Sequence, residues 1–141
     1  MSQRTAHKRL KPPGYGALSV TYACYRKGAK KRGLVFDITR EQFEEISAKP
    51  CHYCGRSRVN KTTYQFHKKA EISLDGGSAF YNGIDRVKND QGYILSNVVP
   101  CCKHCNWSKK ALSYEDFLSW VVLVYRNLNL STRPTNENLI H

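Results

Sequence analysis

Acidic residues are scarce in this sequence and absent from its first 33 positions. The chain carries 11 Asp and Glu against 23 Lys and Arg, a formal net charge of +12 over 141 residues. From Met1 to Gly33 stand Arg4, Lys8, Arg9, Lys11, Arg26, Lys27, Lys30, Lys31 and Arg32, nine cations without one acid. That balance favours a polyanionic partner, most often nucleic acid, through phosphate contacts and counterion release. Anionic membrane surfaces attract basic chains too. Long apolar runs are also missing, and none approaches the length of a membrane span. The stretch up to Gly16 lacks the apolar core of a signal peptide. The expectation is therefore a cytoplasmic protein, or a nuclear one, that is not secreted and has no membrane partner. No internal repeat is visible. Apolar residues make up 40% and the mean hydropathy is −0.59, lean for a single domain, so a cross-link or a metal would help the core.

Six cysteines are the remedy at hand. In a reducing compartment, paired cysteines read as metal ligands before disulfides. Cys51-His52-Tyr53-Cys54 and Cys102-Lys103-His104-Cys105 are two CxxC pairs. Two thiolates at this spacing can point at one tetrahedral centre, and four make a closed structural Zn²⁺ site. Gly55 permits the tight turn after the first pair. Cys101 with Cys105 is the alternative second pair. Cys24 and Cys101 read as small buried hydrophobes. His52 and His104, inside the knuckles, read as exposed residues in reach of phosphate, and His67 as a surface residue.

Along the chain, residues 1–17 read as a basic flexible arm, 18–130 as one zinc-containing domain and 131–141 as a polar tail. Ser19 to Arg32 predicts a basic helix with Leu18, Val20, Ala23 and Cys24 on one side, stopped by Gly33. Leu34–Ile38 is extended, and Thr39 opens a second helix in a capping box with Gln42. Residues 56–79 carry no clear period and read as an insertion with one strand around Tyr64-Gln65-Phe66. Phe80–Val87, broken at Asn82-Gly83, and Asn97-Val98-Val99 are strand candidates around a turn at Asp90-Gln91-Gly92. Helices follow from Cys102 to Lys110 and from a Ser113 cap. The stripe Phe117, Leu118, Trp120, Val121, Val124 and Tyr125 on the last helix reads as core.

Between the cysteine pairs run Asn82-Gly83-Ile84-Asp85-Arg86-Val87, Gly92-Tyr93, Asn97-Val98-Val99-Pro100, Cys102-x-x-Cys105-Asn106 and Lys109-Lys110. This pattern resembles the HNH, or His-Me finger, nucleases, and more narrowly their zinc-bearing phage branch, which includes recombination endonuclease VII. The resemblance covers about Phe36 to Tyr125. It implies an α+β fold, in which a ββα-metal core with a four-Cys structural zinc is flanked by helices. By position, Asp85 matches the metal-binding carboxylate, Asn97 the central Asn that holds the loop and orients the base, and Asn106 the last ligand of the catalytic metal. Such oxygen donors suit Mg²⁺ or Mn²⁺, which polarises the scissile phosphate. The family's general-base His is replaced by Arg86. Arginine stays protonated, so it can clamp a phosphate but cannot deprotonate water. The base must come from elsewhere, with His67, His104 or a hydroxide on the metal as candidates. The resemblance implies a DNA endonuclease, with Arg4, Lys8, Arg9, Lys11, Arg26, Lys27, Lys30, Lys31, Arg32, Lys109 and Lys110 as nucleic-acid contacts and DNA favoured over RNA. The alternative is a degenerate module, with Asp85 and Arg86 in a structural ion pair, that binds DNA or RNA without cleaving it.

Overall fold

In the computed structural model, residues 15–63 and 78–130 are described. The order is α1 (Tyr15–Lys31), β1 (Phe36–Asp37), α2 (Arg40–Ser47), β2 (Asn60–Thr63), β3 (Ser78–Tyr81), β4 (Gly83–Arg86), β5 (Tyr93–Ile94), β6 (Val98–Cys101), α3 (Lys103–Lys109) and α4 (Tyr114–Asn127). A single 3-10 turn, Leu95–Asn97, leads into β6. The strands form three two-stranded ladders: β1 with β5, β2 with β3, and β4 with β6. Mixed helices and small sheets make this an α+β chain, as the sequence predicts.

The β4–β6 ladder is antiparallel, with Gly83 opposite Cys101 and Asp85 opposite Val99. It runs directly into α3, so β4, β6 and α3 form a ββα unit. Asn82 marks the bend between β3 and β4. Its backbone N–H donates to the Ser47 carbonyl, and its amide donates to the carbonyls of Lys49 and Arg56. Gly92 lets β5 lie against β1. A Cβ there would collide with the Val35 backbone, whose oxygen accepts from the Tyr93 N–H at 2.8 Å.

The core lies between α1, α2 and the ββα unit: Ala29, Ile38, Phe43, Ile84, Tyr93 and Val98 are buried, with Tyr22, Tyr25 and Phe36 packed against them. The Thr39 capping box forms as expected, and its side chain accepts from the Gln42 N–H while Gln42 accepts from the Thr39 N–H. Ser113 likewise caps α4 by accepting from the Asp116 N–H.

Four expectations need correction. Helix α1 begins at Tyr15, not Ser19. Arg40 of α2 donates to the Tyr15 carbonyl at 3.0 Å and its guanidinium lies 3.4 Å from the Tyr15 ring centre, contacts that hold the first turn. The buried side of α1 is Ala17, Thr21 and Ala29, whereas Val20, Ala23 and Cys24 face out. Small residues allow close approach there, and the large aromatics Tyr22 and Tyr25 do the packing. Cys24 is thus exposed rather than a buried hydrophobe. On α4 only Phe117 is buried, while Leu118, Trp120, Val121 and Tyr125 are exposed. A helical stripe says which face is apolar; it does not say that this chain supplies the cover. The insertion holds β2 at Asn60–Thr63, and the strand expected at Tyr64-Gln65-Phe66 lies outside the described residues, as do His67 and the polar tail.

Candidate functional site

Two knuckles bring four sulfurs together. The first is closed by the Gly55 N–H donating to the Cys51 carbonyl, with Gly55 at φ 71°. The His52 N–H donates to the Pro100 carbonyl and so fastens this knuckle to β6. The second knuckle is the first turn of α3. The donor atoms of Cys51, Cys54, Cys102 and Cys105 lie within 4.8 Å of one another. Cys54 Sγ and Cys102 Sγ stand 3.8 Å apart, which matches the edge, about 3.8 Å, of a tetrahedron with 2.3 Å metal–sulfur arms. Burial and neighbouring sulfurs push the Cys105 thiol up. Burial would also raise Cys54, but hydrogen bonds with Arg56 bring it down to about 7. A divalent cation would offset the repulsion among such thiolates. Cys101, fully buried beside them, has its thiol raised by burial and by Cys51, and stays outside the quartet.

Next to the quartet lies a cleft of about 440 Å³ whose lining includes Arg32, Asp85, Arg86, Tyr93, Asn106 and Lys110. Asp85, on β4, is 7% exposed. Its Oδ2 accepts from the Tyr53 hydroxyl at 2.8 Å and lies 3.2 Å from Lys109 Nζ. Burial, and then Asp85 itself, raise the Tyr53 phenol well above its usual range, so it remains a donor. Lys109 is 0% exposed and also donates to the Arg86 carbonyl at 3.1 Å. The ion pair of Asp85 is therefore with Lys109. Arg86, next along the strand, lines the same cleft but turns to the loop that follows β4. Its Nη1 donates to the carbonyls of Asn89 at 2.6 Å and Gln91 at 2.9 Å. Its guanidinium lies 5.4 Å from the centre of the Tyr93 ring.

Asn97 is buried in the last turn before β6. Its Nδ2 donates to the carbonyls of Lys88 and Gly92, and its Oδ1 accepts from the Lys88 N–H at 2.9 Å. It therefore holds the 88–92 loop from inside, while Arg86 holds it from the strand. Asn106, on α3, reaches the cleft opposite Asp85. Thus Asp85, Arg86 and Asn106 meet at one cleft, and Asn97 stands behind it.

The basic residues divide. Arg26, Lys27, Lys30, Lys31 and Arg32 are all exposed on or just after α1, and Lys110 is exposed at the end of α3. Arg32 donates to the Tyr93 hydroxyl at 3.1 Å, which sets it at the cleft wall. Lys109 is corrected: its ammonium is buried against Asp85 and does not face a surface phosphate. Arg4, Lys8, Arg9 and Lys11 lie outside the described residues. His52 is exposed, as expected, with Nε2 3.2 Å from the Tyr114 hydroxyl. His104 is only half-exposed and its Nδ1 is buried with no partner among the described residues. Sequence reasoning missed Lys109 and Tyr53 as partners of Asp85. Nothing in the local pattern marks either, because one sits in a dilysine that looks solvated and the other between two metal ligands.

The chain matches no family model. It is 31% identical over 112 residues to an uncharacterized protein of Acanthamoeba polyphaga mimivirus, an alignment covering 77% of this chain and 18% of the viral protein. The chain therefore spans less than a fifth of the length of that relative. Among solved structures it is similar to the rare-cutting HNH restriction endonuclease PacI, with a TM-score of 0.53 at 17% identity, covering 92% of this chain and 96% of that one. At that identity the likeness is one of overall fold.

Proposed function

We propose that the chain is an HNH-type endonuclease that hydrolyses phosphodiester bonds in DNA. The observation that carries this reading is the convergence of Asp85 from β4 and Asn106 from α3 on one cleft whose wall bears Arg32 and Lys110. The four cysteines would hold a structural Zn²⁺ that fixes β6 and α3, and through them Asn106. Asp85 and Asn106 supply oxygen donors of the kind Mg²⁺ or Mn²⁺ takes, and would hold that cation between them. When bound, it polarises the scissile phosphate and stabilises the leaving oxygen. The chain's own residues do the rest. Arg32 and Lys110 draw a phosphate to the cleft mouth by charge. Tyr53 and Lys109 orient the Asp85 carboxylate. Arg86 and Asn97 brace the loop beneath, so Arg86 acts first on the protein's own carbonyls, with its remaining N–H groups free to reach phosphate. Exposed cations along α1 would track the backbone of the duplex. The finer placement, in the zinc-bearing phage branch and in the cytoplasm, belongs to the same proposal.

A second reading has its own support. The one carboxylate among the residues lining the cleft is already paired with a buried ammonium, which weakens its pull on a divalent cation and favours a module that binds without cutting. One assay separates the two. Wild type and Asp85→Ala are incubated with branched, duplex and single-stranded DNA, with Mn²⁺ or with chelator. Cleavage by wild type that Asp85→Ala abolishes, with binding retained, supports the nuclease. Tight binding without cleavage by wild type or by Arg86→His, the variant that restores the family's usual base, supports the module.

A further inference from the structure

Beyond the Asp85 cleft lies a second cavity of about 300 Å³, on the other side of Asn106 and Tyr25, which line both. Besides Cys101 of β6, its remaining wall comes from two elements. Helix α3 contributes Trp107 and Lys103, and the β2–β3 hairpin contributes Lys61 and Tyr81. Asn60 ties the two together, its Oδ1 accepting from the Lys103 N–H at 3.0 Å.

Three features of this cavity lack a structural purpose. Trp107 is 67% exposed, a large apolar ring left in water. Lys103 lies one helical turn before Trp107, and Lys110, just past the end of α3, lines a neighbouring pocket with it, so lysines border the indole from both directions along the chain. No carboxylate lines the cavity among the described residues, and its lysines therefore face it without a counter-charge. Aromatic rings flanked by cations form the surface on which single-stranded nucleic acid stacks its bases and lays its phosphates. A paired base inside a duplex has no free face to offer such a ring.

We propose that this cavity takes one unpaired nucleobase of the DNA strand, stacked on Trp107 and bordered by Tyr81, with Lys61 and Lys103 on the flanking phosphates. Because Asn106 lines both cavities, the base belongs to a nucleotide next to the phosphate in the Asp85 cleft. This inference rests on the reading that the chain binds DNA. It adds that the bound strand is recognised with one base out of the stack.

The chain has two tryptophans, so Trp120→Phe leaves Trp107 as the only indole emitter. That variant is titrated with three labelled DNAs: single-stranded, duplex with one mismatch, and fully matched duplex. Label anisotropy reports binding and indole emission reports stacking. Quenching at saturation by the single strand, and weaker quenching by the matched duplex, are expected. Quenching by the mismatched duplex as well identifies an extruded base, and its restriction to the single strand identifies a pre-separated one. Trp107→Ala should weaken single-strand binding about 5- to 150-fold, the loss of one stacked base, and Trp107→Phe should recover most of it. Binding with unchanged emission and unchanged affinity in Trp107→Ala, or equal quenching by the matched duplex, overturns the inference and leaves the DNA-binding reading standing. Failure of all three DNAs to bind overturns both.

Discussion

Replacing Lys109 by methionine keeps most of the buried stem and removes only the ammonium. In the wild type that ammonium is fully buried, 3.2 Å from an Asp85 oxygen and 3.1 Å from the Arg86 carbonyl. The variant leaves Asp85 as a buried carboxylate with the Tyr53 hydroxyl as its remaining donor. Removing one partner of a buried pair costs about 3–5 kcal/mol, because the other charge stays desolvated and uncompensated. For a domain of this size that corresponds to a fall in Tm of roughly 12–20 °C. Thermal unfolding followed by circular dichroism reads it directly. The double variant Asp85→Asn with Lys109→Met removes both charges, and the Asn amide can still accept from Tyr53. Its loss should fall short of the sum of the single losses by about 1–3 kcal/mol, the coupling expected of residues that touch. A Lys109→Met protein that melts with the wild type would refute the reasoning. Strictly additive losses would do the same, since they would mean that Lys109 and Asp85 do not sense each other.

The four cysteines should bind one Zn²⁺ per chain, and Cys54→Ala or Cys105→Ala should lose both the metal and cooperative unfolding, because folding and binding at such a site are one equilibrium; metal-free protein with an unaltered melting curve would count against it. Asn97→Ala removes three part-buried hydrogen bonds to the 88–92 loop, a loss of about 2–4 kcal/mol by urea unfolding, with the m-value unchanged. Removing residues 1–11 takes away Arg4, Lys8, Arg9 and Lys11, so the slope of log affinity against log salt on duplex DNA should become shallower by about 0.9 for each phosphate that the arm neutralises. An unchanged slope would mean that none of the four touches phosphate.

The metal quartet was legible in the chain itself, because CxxC spacing is a local constraint: two thiolates three positions apart converge whatever surrounds them. Caps were legible for the same reason. Thr39 with Gln42 and Ser113 with Asp116 each satisfy backbone N–H groups within one turn. The order Asp85, Asn97, Asn106 also survived into space, since short connections force two strands and a helix to pack where they lie in sequence. What the sequence could not say was which side chains would be covered. The apolar stripe of α4 and the thiol of Cys24 both look internal by pattern, yet burial depends on whether another element arrives, and around most of α4 none does among the described residues. Lys109 is the opposite case. Its neighbour Lys110 is exposed, and nothing local distinguishes the two, but the turn of α3 aims Lys109 inward at Asp85, 24 positions away. Local chemistry is written in spacing; the pairing of a buried charge is a property of tertiary structure, because only the folded chain removes the water that would otherwise solvate it.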